Sequence, residues 1–285
     1  MVALAEFIDP KLLEPVALAA LRDKFCDESS VVIEELLRPE VAQELEQLTS
    51  ASDKELWASK ARTRTIEGKQ TVTIPLHTST VSTDWTLTGP AHIQRFLALK
   101  QAATATTLDV RLGAIRTFMA SEPFRAFLAC ITCMAPEAHT VHARCFRPGL
   151  DYTLARGAPP RADGEAQDDE AQFLDVGLAL TPSASPAAKR EAMRAAKPPK
   201  AWSDGGCGGW ELWLASDPDT DEATYGAQQE EDDGPLLALE PGWNRLHIVL
   251  RDTGVLKFVK YLKSSAPGAR WDVTGEWQVT SPPEA

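Results

Sequence analysis

The sequence predicts an α+β fold in which a helical layer packs on a sandwich, barrel or jelly roll of short strands. Apolar residues recur at helical spacing through most of the first half of the chain. After residue 135 the apolar runs become short, and turn dipeptides such as Pro148-Gly149 and Thr253-Gly254 separate them. The chain has 285 residues, 44% of them hydrophobic, and can bury roughly 75% of its unfolded surface. We therefore expect one domain over residues 1–285, with a mainly helical layer at 1–135 and strands at 136–285.

The first elements follow from capping residues and apolar spacing. Asp9 is a good N-cap and Pro10 suits the first helical position, so a helix is predicted from here to about Phe25. The β-branched run within residues 30–37 predicts a strand, and a second helix is expected after Pro39.

The rest of the first half is less regular. Between residues 53 and 90 the apolar pattern is weak, with one candidate strand at 71–74. Helical spacing returns at residues 93–99 and 108–119, and Ser121 is placed to cap one more helix.

The second half is predicted to contain eight short strands. They lie at residues 140–146, 152–154, 173–180, 210–214, 236–239, 246–250, 256–262 and 271–279. Three intervening segments, 157–171, 183–203 and 216–234, are rich in Ala, Gly, Pro and charge. Such composition buries too little apolar surface to offset chain entropy, so we expect these loops to be exposed and mobile.

The charge distribution narrows the classes of partner. The formal net charge is −12, which argues against a protein that binds nucleic acid directly. Residues 163–170 hold five acids and residues 217–233 hold eight, so the remainder is nearly neutral. Residues 189–200 carry five basic residues against one acid. We interpret these runs as solvated loops; docking of the acidic segments on a basic partner is the alternative.

Localisation follows from the absence of other signals. No apolar run reaches the ~18 residues that cross a membrane. The first residues lack a positive region and do not resemble a secretory signal. Five cysteines, an odd number in a long chain, favour a reducing compartment. We expect a cytoplasmic or nuclear protein without membrane contact.

The cysteine and histidine patterns give weak evidence for chemistry. Cys130 and Cys133 form a Cys-x-x-Cys pair, but late in an apolar helix instead of at a helix start. A zinc site would need further ligands, for which the candidates are His139, His142 and Cys145. Buried structural cysteines are the preferred interpretation. No Gly-x-Ser-x-Gly elbow occurs, and the glycine-rich run at 205–209 has neither a lysine nor a following helix.

Several segments together resemble a known family. FRPGLDYTLA (146–155), LDVGLALTP (174–182), WNRLHIVLRD (243–252) and FVKY (258–261), followed by RWDVTGEW (270–277), occur in that order. FIDP (7–10), SSVV (29–32) and the acidic EEDDG (230–234) fit as well. The set resembles the C-terminal domain of the eukaryotic 2-oxoglutarate- and iron-dependent prolyl hydroxylases that modify a ribosomal small-subunit protein.

The resemblance implies a double-stranded β-helix, the jelly-roll or cupin-like barrel. Members of this family have two such barrels, a catalytic N-terminal one and a C-terminal one without the iron site. The chain therefore resembles the second barrel, with helices packed before it. Fe(II) and 2-oxoglutarate are expected only in a separate catalytic barrel, on the same or another chain, and no cofactor is expected here.

The iron ligands of a catalytic barrel can be searched for directly. Such a site needs two histidines and a carboxylate, with the first histidine two residues before the acid. None of the five histidines is followed by Asp or Glu at that spacing. By the resemblance, the early ligands align near residues 155–158, which contain Arg156, and the distant histidine near Trp243 or Asn244. Lys257 is the only cation near the position of the 2-oxoglutarate arginine. No catalytic or metal-binding residue is predicted, only a degenerate pocket lined by Tyr152 and Asn244.

Three functions remain open. The leading hypothesis is a non-catalytic domain that supports, or binds partners or substrates for, a prolyl hydroxylase barrel. The second is a divergent dioxygenase that hydroxylates peptidyl proline, with ligands from His139, His142, His247 and an acid such as Asp151 or Asp175. The third is an acidic adapter for a basic ribosomal or regulatory protein. The docking face for a second barrel is expected to include residues 53–90, where Trp57, Ile74, Leu76, Trp85 and Leu87 stand among polar residues. The alternative is that these apolar residues cover the helices of the barrel itself.

Overall fold

The protein is described from a computed structural model. The description covers residues 4–58, 61–66, 70–75, 84–100, 106–157, 172–182, 202, 206–215 and 234–280. Nearly all of the three predicted loops, 157–171, 183–203 and 216–234, lie outside the described residues. Trp202 is an exception within the second loop: it is buried, and its Nε1 donates to the carbonyl of Pro182 at 3.1 Å.

Five α-helices and one 3-10 turn are described, all in the first half of the chain. They are α1 (Leu4–Phe7), the 3-10 turn (Pro10–Leu13), α2 (Pro15–Glu28), α3 (Pro39–Ala58), α4 (Thr107–Met119) and α5 (Glu122–Thr132). The helix predicted from Asp9 is divided, because Pro15 holds the preceding Glu14 in an extended conformation. Ser121 caps α5 as predicted, by accepting a hydrogen bond from the amide of Phe124.

Thirteen strands are described. They are β1 (Ser30–Glu34), β2 (Ala61–Ile66), β3 (Gln70–Pro75), β4 (Trp85–Thr88), β5 (Gln94–Leu99), β6 (Ala135–Phe146), β7 (Tyr152–Thr153), β8 (Gln172–Leu180), β9 (Glu211–Ala215), β10 (Leu237–Leu239), β11 (Trp243–Arg251), β12 (Val255–Val259) and β13 (Arg270–Thr280). The eight strands predicted after residue 136 correspond to β6 through β13.

Two sheets are set against each other. The large, curled antiparallel sheet has the order β1-β11-β8-β13-β6-β5-β4, with β7 paired to β5. The small sheet has the order β10-β9-β12, and β2 pairs with β3 in a separate hairpin. Of the strands from β8 onward, β8, β11 and β13 belong to the large sheet, and β9, β10 and β12 belong to the small sheet. The result is a mixed α/β fold whose two facing sheets enclose the region described below.

The first half contributes strands as well as helices. Residues 93–99, predicted as a helix, form strand β5, so that prediction is wrong. The reason is tertiary: β5 lies between β4 and β6, and its backbone pairs Leu97 with Cys145. Strands β1 and β4 likewise form the two ends of the large sheet. A helical layer alone therefore does not describe residues 1–135.

The apolar core lies on the helix-facing side of the large sheet. Trp271 and Trp277 of β13 are fully buried there, and Trp85 meets Trp271 edge to face at 5.6 Å. Phe118 of α4 and Phe124 of α5 pack in the same cluster. Most of the strand tryptophans thus fill the core, as expected from burial of their area. Within the described residues, no helix combines the length and apolar character that a membrane crossing requires.

Candidate functional site

The opposite face of the large sheet is charged. On β13, Arg270, Asp272, Thr274 and Glu276 alternate with the core residues, and the side-chain period of two sends them toward the small sheet. Arg144 stands directly opposite Asp272 on β6. The small sheet also contributes charged residues to the region between the sheets. We call the following set the ion network: Arg144, Asp175, Glu211, Arg251, Lys257, Arg270, Asp272 and Glu276.

Glu211 of β9 is the centre of this network. Its Oε2 lies 2.9 Å from Nη2 of Arg270, and its Oε1 lies 3.4 Å from Nη2 of Arg144. Nζ of Lys257 lies 3.5 Å from the same Oε1. These cations outweigh the cost of burying the carboxylate and hold the pKa of Glu211 well below its usual range. Glu211 is therefore ionised at neutral pH.

Asp175 of β8 forms a second centre. Its Oδ2 accepts hydrogen bonds from Nε of Arg251 at 2.8 Å and from Nε1 of Trp213 at 2.9 Å. Nζ of Lys257 lies 3.5 Å from Oδ1, so Lys257 joins the two centres. Lys257 and Arg251 oppose the effect of burial and lower the pKa of Asp175.

Asp272 completes the network. Arg144 donates from Nε to Oδ1 at 2.7 Å and from Nη2 to Oδ2 at 3.0 Å, a bidentate pair. Arg270 lies 3.0 Å from the same Oδ2. The network thus has four cations and four carboxylates, and only Glu276, with 34% of its side chain exposed, reaches far toward solvent.

His247 lies inside the network but is not charged at neutral pH. Its ring packs on Gly177, where an added Cβ would come within 2.3 Å of Cε1. Burial lowers the pKa of His247 to about 4; Glu211, with its Oε2 3.5 Å from Nε2, opposes that effect, whereas Lys257 and Arg270 add to it.

A cavity of about 300 Å³ opens beside the network, between the two sheets. Its ionisable lining consists of His142, Arg144, Arg156, Glu211, Lys257 and Glu276. Burial, with Arg144 and Arg116 nearby, lowers the pKa of His142. The lining thus carries three cations against two carboxylates, and one of the cations, Arg156, stands where the resemblance would place an early iron ligand.

The residues at this position do not fit an Fe(II) centre. The carboxylates of Glu211, Asp175 and Asp272 are each bound by arginine side chains, which leaves them poorly available as ligands. No group of three His, Cys, Asp or Glu residues in the described part of the chain could hold a metal ion.

The two residues of the predicted degenerate pocket lie apart from this cavity. Asn244 has a positive φ of 52° next to a bulge in β11. Its Oδ1 accepts from the amide of Leu37 at 2.7 Å and its Nδ2 donates to the carbonyl of Leu37 at 3.1 Å. Tyr152 donates through its hydroxyl to the carbonyl of Ala91 and packs on Tyr261. Neither side chain lines the cavity.

The candidate ligands of a divergent oxygenase do not converge either. His139 stacks on Trp277, with ring centroids 6.0 Å apart. Asp151 accepts hydrogen bonds from the backbone amide and Nε of Arg147, both at 2.8 Å. His142 lines the cavity, whereas His247 and Asp175 belong to the ion network.

The cysteines are all free, and the Cys-x-x-Cys pair is divided by the end of α5. Cys133 terminates that helix in the left-handed conformation and contacts Cys26 of α2 by a side-chain hydrogen bond. Partial loss of hydration and the neighbouring Cys133 thiol raise the pKa of Cys26. Cys145 is buried in the apolar core, away from the surface where Cys26, Cys130 and Cys133 are exposed.

Sequence reasoning missed the ion network. The signal was present in the alternation of Arg270, Asp272, Thr274 and Glu276 with apolar residues on one strand. In a two-sheet protein with helices on one side, such a strand has one apolar and one enclosed polar face. The predicted docking region is partly accounted for by the chain itself: Trp85 is buried and donates from Nε1 to Asp109 at 2.7 Å, whereas Leu87 is 45% exposed. Leu76 lies outside the described residues, and the side chains of Trp57 and Ile74 are not described.

Comparisons with known proteins agree with the resemblance. A family model described as oxoglutarate and iron-dependent oxygenase degradation C-term matches residues 1–285. A curated relative, prolyl 3,4-dihydroxylase OGFOD1 of Ostreococcus tauri, is 25% identical over 277 residues. That alignment covers 95% of this chain but only 47% of the relative, so the chain spans about half of its length.

The solved structures whose backbone is similar to this chain include two prolyl hydroxylases. A Pseudomonas putida prolyl-4-hydroxylase has a TM-score of 0.46 at 14% identity, with 92% of this chain and 98% of that chain covered. A Trichoplax adhaerens prolyl hydroxylase, solved with a hypoxia inducible factor peptide fragment, has a TM-score of 0.47 at 10% identity, with 92% and 88% covered. On the match over its whole length, the chain belongs to the family described as oxoglutarate and iron-dependent oxygenase degradation C-term.

Proposed function

We propose that this chain is a non-catalytic double-stranded β-helix domain of a prolyl hydroxylase-like protein. Its role is to support a catalytic barrel or to bind a partner or substrate for it. One observation carries the proposal: an enclosed network of four cations and four carboxylates, centred on Glu211, lies between the sheets. Carboxylates that arginine side chains already bind offer little to a ferrous ion.

The proposal includes the arrangement of the whole protein. Residues 1–285 act as one domain, and Fe(II) and 2-oxoglutarate bind in a separate catalytic barrel on the same or another chain. The relative of twice this length, named as a dihydroxylase, supports such an arrangement. We propose that the protein works in the cytoplasm or nucleus, without membrane or direct nucleic-acid contact.

The proposal is tested by assaying the chain for 2-oxoglutarate turnover with Fe(II) and prolyl peptides. We expect no decarboxylation above a metal-free control. When an active catalytic barrel from a related protein is present, turnover should equal that of the barrel alone. Hydrogen exchange of this chain should then change at a docking face, for which residues 53–90 remain our candidate. Turnover by the chain alone would support the divergent dioxygenase instead.

The acidic adapter remains a second candidate because two segments carry thirteen acidic residues against a net charge of −12. A basic ribosomal or regulatory protein would be its partner. Exposed charges are screened beyond about 8 Å at physiological salt, so capture of such a partner should weaken steeply with added salt. Capture that is insensitive to salt would favour docking through an apolar surface.

A further inference from the structure

Two exposed thiols from different helices lie against each other. Cys26 belongs to the last turn of α2, and Cys133 is the residue that ends α5. The side chains of Cys26 and Cys133 are joined by a hydrogen bond. Both thiols are free and exposed. The pair therefore connects two helices that are distant along the chain, at a position that reagents in solution can reach.

The backbone beside each thiol is anchored in the apolar core. Phe25, which precedes Cys26, is buried, and so is Ile131, two residues before Cys133. Phe25 and Ile131 belong to the same core cluster. Because close-packed core residues move little, the ends of the two helices stay together in the folded chain, and so do their thiols.

The contact between two thiols suits a disulfide. The bond needs sulfur atoms about 2.05 Å apart and Cβ atoms roughly 3.5–4.5 Å apart. Thiols that already share a hydrogen bond need only small rotations of their side chains to reach this geometry. A metal does not account for the pair, since no group of three potential ligands in the described ranges could hold one.

We propose that Cys26 and Cys133 form a reversible disulfide that ties the end of α2 to the end of α5, with a peroxide as the oxidant. One thiol attacks the peroxide, whose O–O bond breaks, and becomes a sulfenic acid as one water leaves. The other thiol attacks that sulfur, which forms the S–S bond and releases a second water. The two thiols thereby lose two electrons and two protons to the peroxide. Reduction by a dithiol reverses the reaction.

The disulfide would be a modification that reports oxidation. In a reducing compartment, which we propose for this protein, thiols are kept reduced, and the disulfides that do form are usually transient or redox-sensing. Partial loss of hydration and the Cys133 thiol raise the pKa of Cys26, which lowers its reactive thiolate fraction at neutral pH and slows the reaction. The bond needs no iron and no turnover, so its test is independent of the proposed non-catalytic role.

The test is oxidation of the reduced, intact chain with hydrogen peroxide, followed by alkylation of the remaining thiols and tryptic mapping by mass spectrometry. Trypsin places Cys26 in the peptide 25–54 and both cysteines near the end of α5 in the peptide 126–144. In dilute protein, where links between chains are rare, we expect a disulfide between these two peptides. Two reagent-accessible thiols should be lost with it, and dithiothreitol should restore them.

Cys130→Ser is the matched control, because Cys130 is also exposed and lies in the same tryptic peptide as Cys133. It should form the cross-link as the unaltered chain does, whereas Cys26→Ser and Cys133→Ser should each abolish it. Circular dichroism shows that the variants are folded, and the unaltered chain tests the cross-link without any substitution. Three results overturn the proposal: the oxidised chain contains no such cross-link, Cys133→Ser still forms it, or the unaltered chain forms it equally well when unfolded in urea.

Discussion

Replacing Glu211 by glutamine should destabilise the protein strongly. The change removes one of four carboxylates from the ion network and leaves four cations, of which Arg270 and Arg144 lose contacts at 2.9 and 3.4 Å. Removing one partner from a buried ion pair typically costs about 3–5 kcal/mol, because the opposite charge stays buried. A chain of this size loses roughly 2–4 °C per kcal/mol. The melting temperature should therefore fall by roughly 10 °C.

Thermal and urea unfolding of Glu211→Gln measure this effect, with Glu276→Gln as the matched control. Glu276 makes one ion pair with Arg251 at 3.3 Å, and its side chain is 34% exposed. Its loss should cost at most about 1 kcal/mol. If the two variants unfold at the same denaturant concentration, the network does not enclose Glu211 as described.

The loss of stability caused by Glu211→Gln should also depend on pH. The cations around Glu211 lower its pKa, so its contribution is complete above the unfolded value, about 4.3, and is lost as the pH falls through the folded value. The difference between the unaltered chain and Glu211→Gln should therefore be constant from pH 5 upward and shrink in acid. A difference that grows in acid would contradict the assignment of Glu211 as ionised.

Three further predictions concern other sites. Gly177→Ala should destabilise by about 1–3 kcal/mol in urea unfolding, because its Cβ would come within 2.3 Å of the His247 ring; an unchanged midpoint would contradict this packing. Burial raises the pKa of Asp53 to about 7, so the folded state holds a proton that the unfolded state releases above pH 4. Unfolding free energy should then fall by roughly 4 kcal/mol between pH 4 and 7, and Asp53→Asn should remove most of this slope; a slope that is the same in both proteins would refute it. Ellman's reagent should modify the three exposed cysteines of the native chain and all five after denaturation, because burial protects Cys145 and Cys207 and raises the pKa of Cys145; five reactive thiols in the native state would be inconsistent with the core.

The second half of the fold was predictable because most strands there contain a short apolar or alternating run that turn residues separate from the next. The strand predicted at 173–180, for example, is β8 (Gln172–Leu180). Strand β5 was not predictable, since its residues also have helical spacing and only pairing with β4 and β6 decides their conformation. The local sequence pattern therefore located the elements that turns bound. It failed where long-range strand pairing decides the conformation of a segment.

The site was less accessible to sequence reasoning than the fold. The missing His-x-Asp pattern was readable, because it needs only the spacing of two residues. The ion network draws on six strands, and Glu211 and Arg144 are 67 residues apart along the chain. Asn244 was placed in a pocket by alignment, whereas a bulge and a positive φ turn its amide toward Leu37. Asparagine adopts a positive φ more readily than most residues, but the residue type alone does not predict a bulge at this position of the strand.

The central claim is that the carboxylates between the sheets are held in ion pairs and do not form an iron site. Anaerobic titration of the intact chain with Fe(II), with and without 2-oxoglutarate, tests it most directly. Calorimetry should show no stoichiometric iron binding and no increase on addition of 2-oxoglutarate. Binding of one Fe(II) per chain that is strengthened by 2-oxoglutarate, and weakened by replacing His142 or His247 with alanine, would contradict the account.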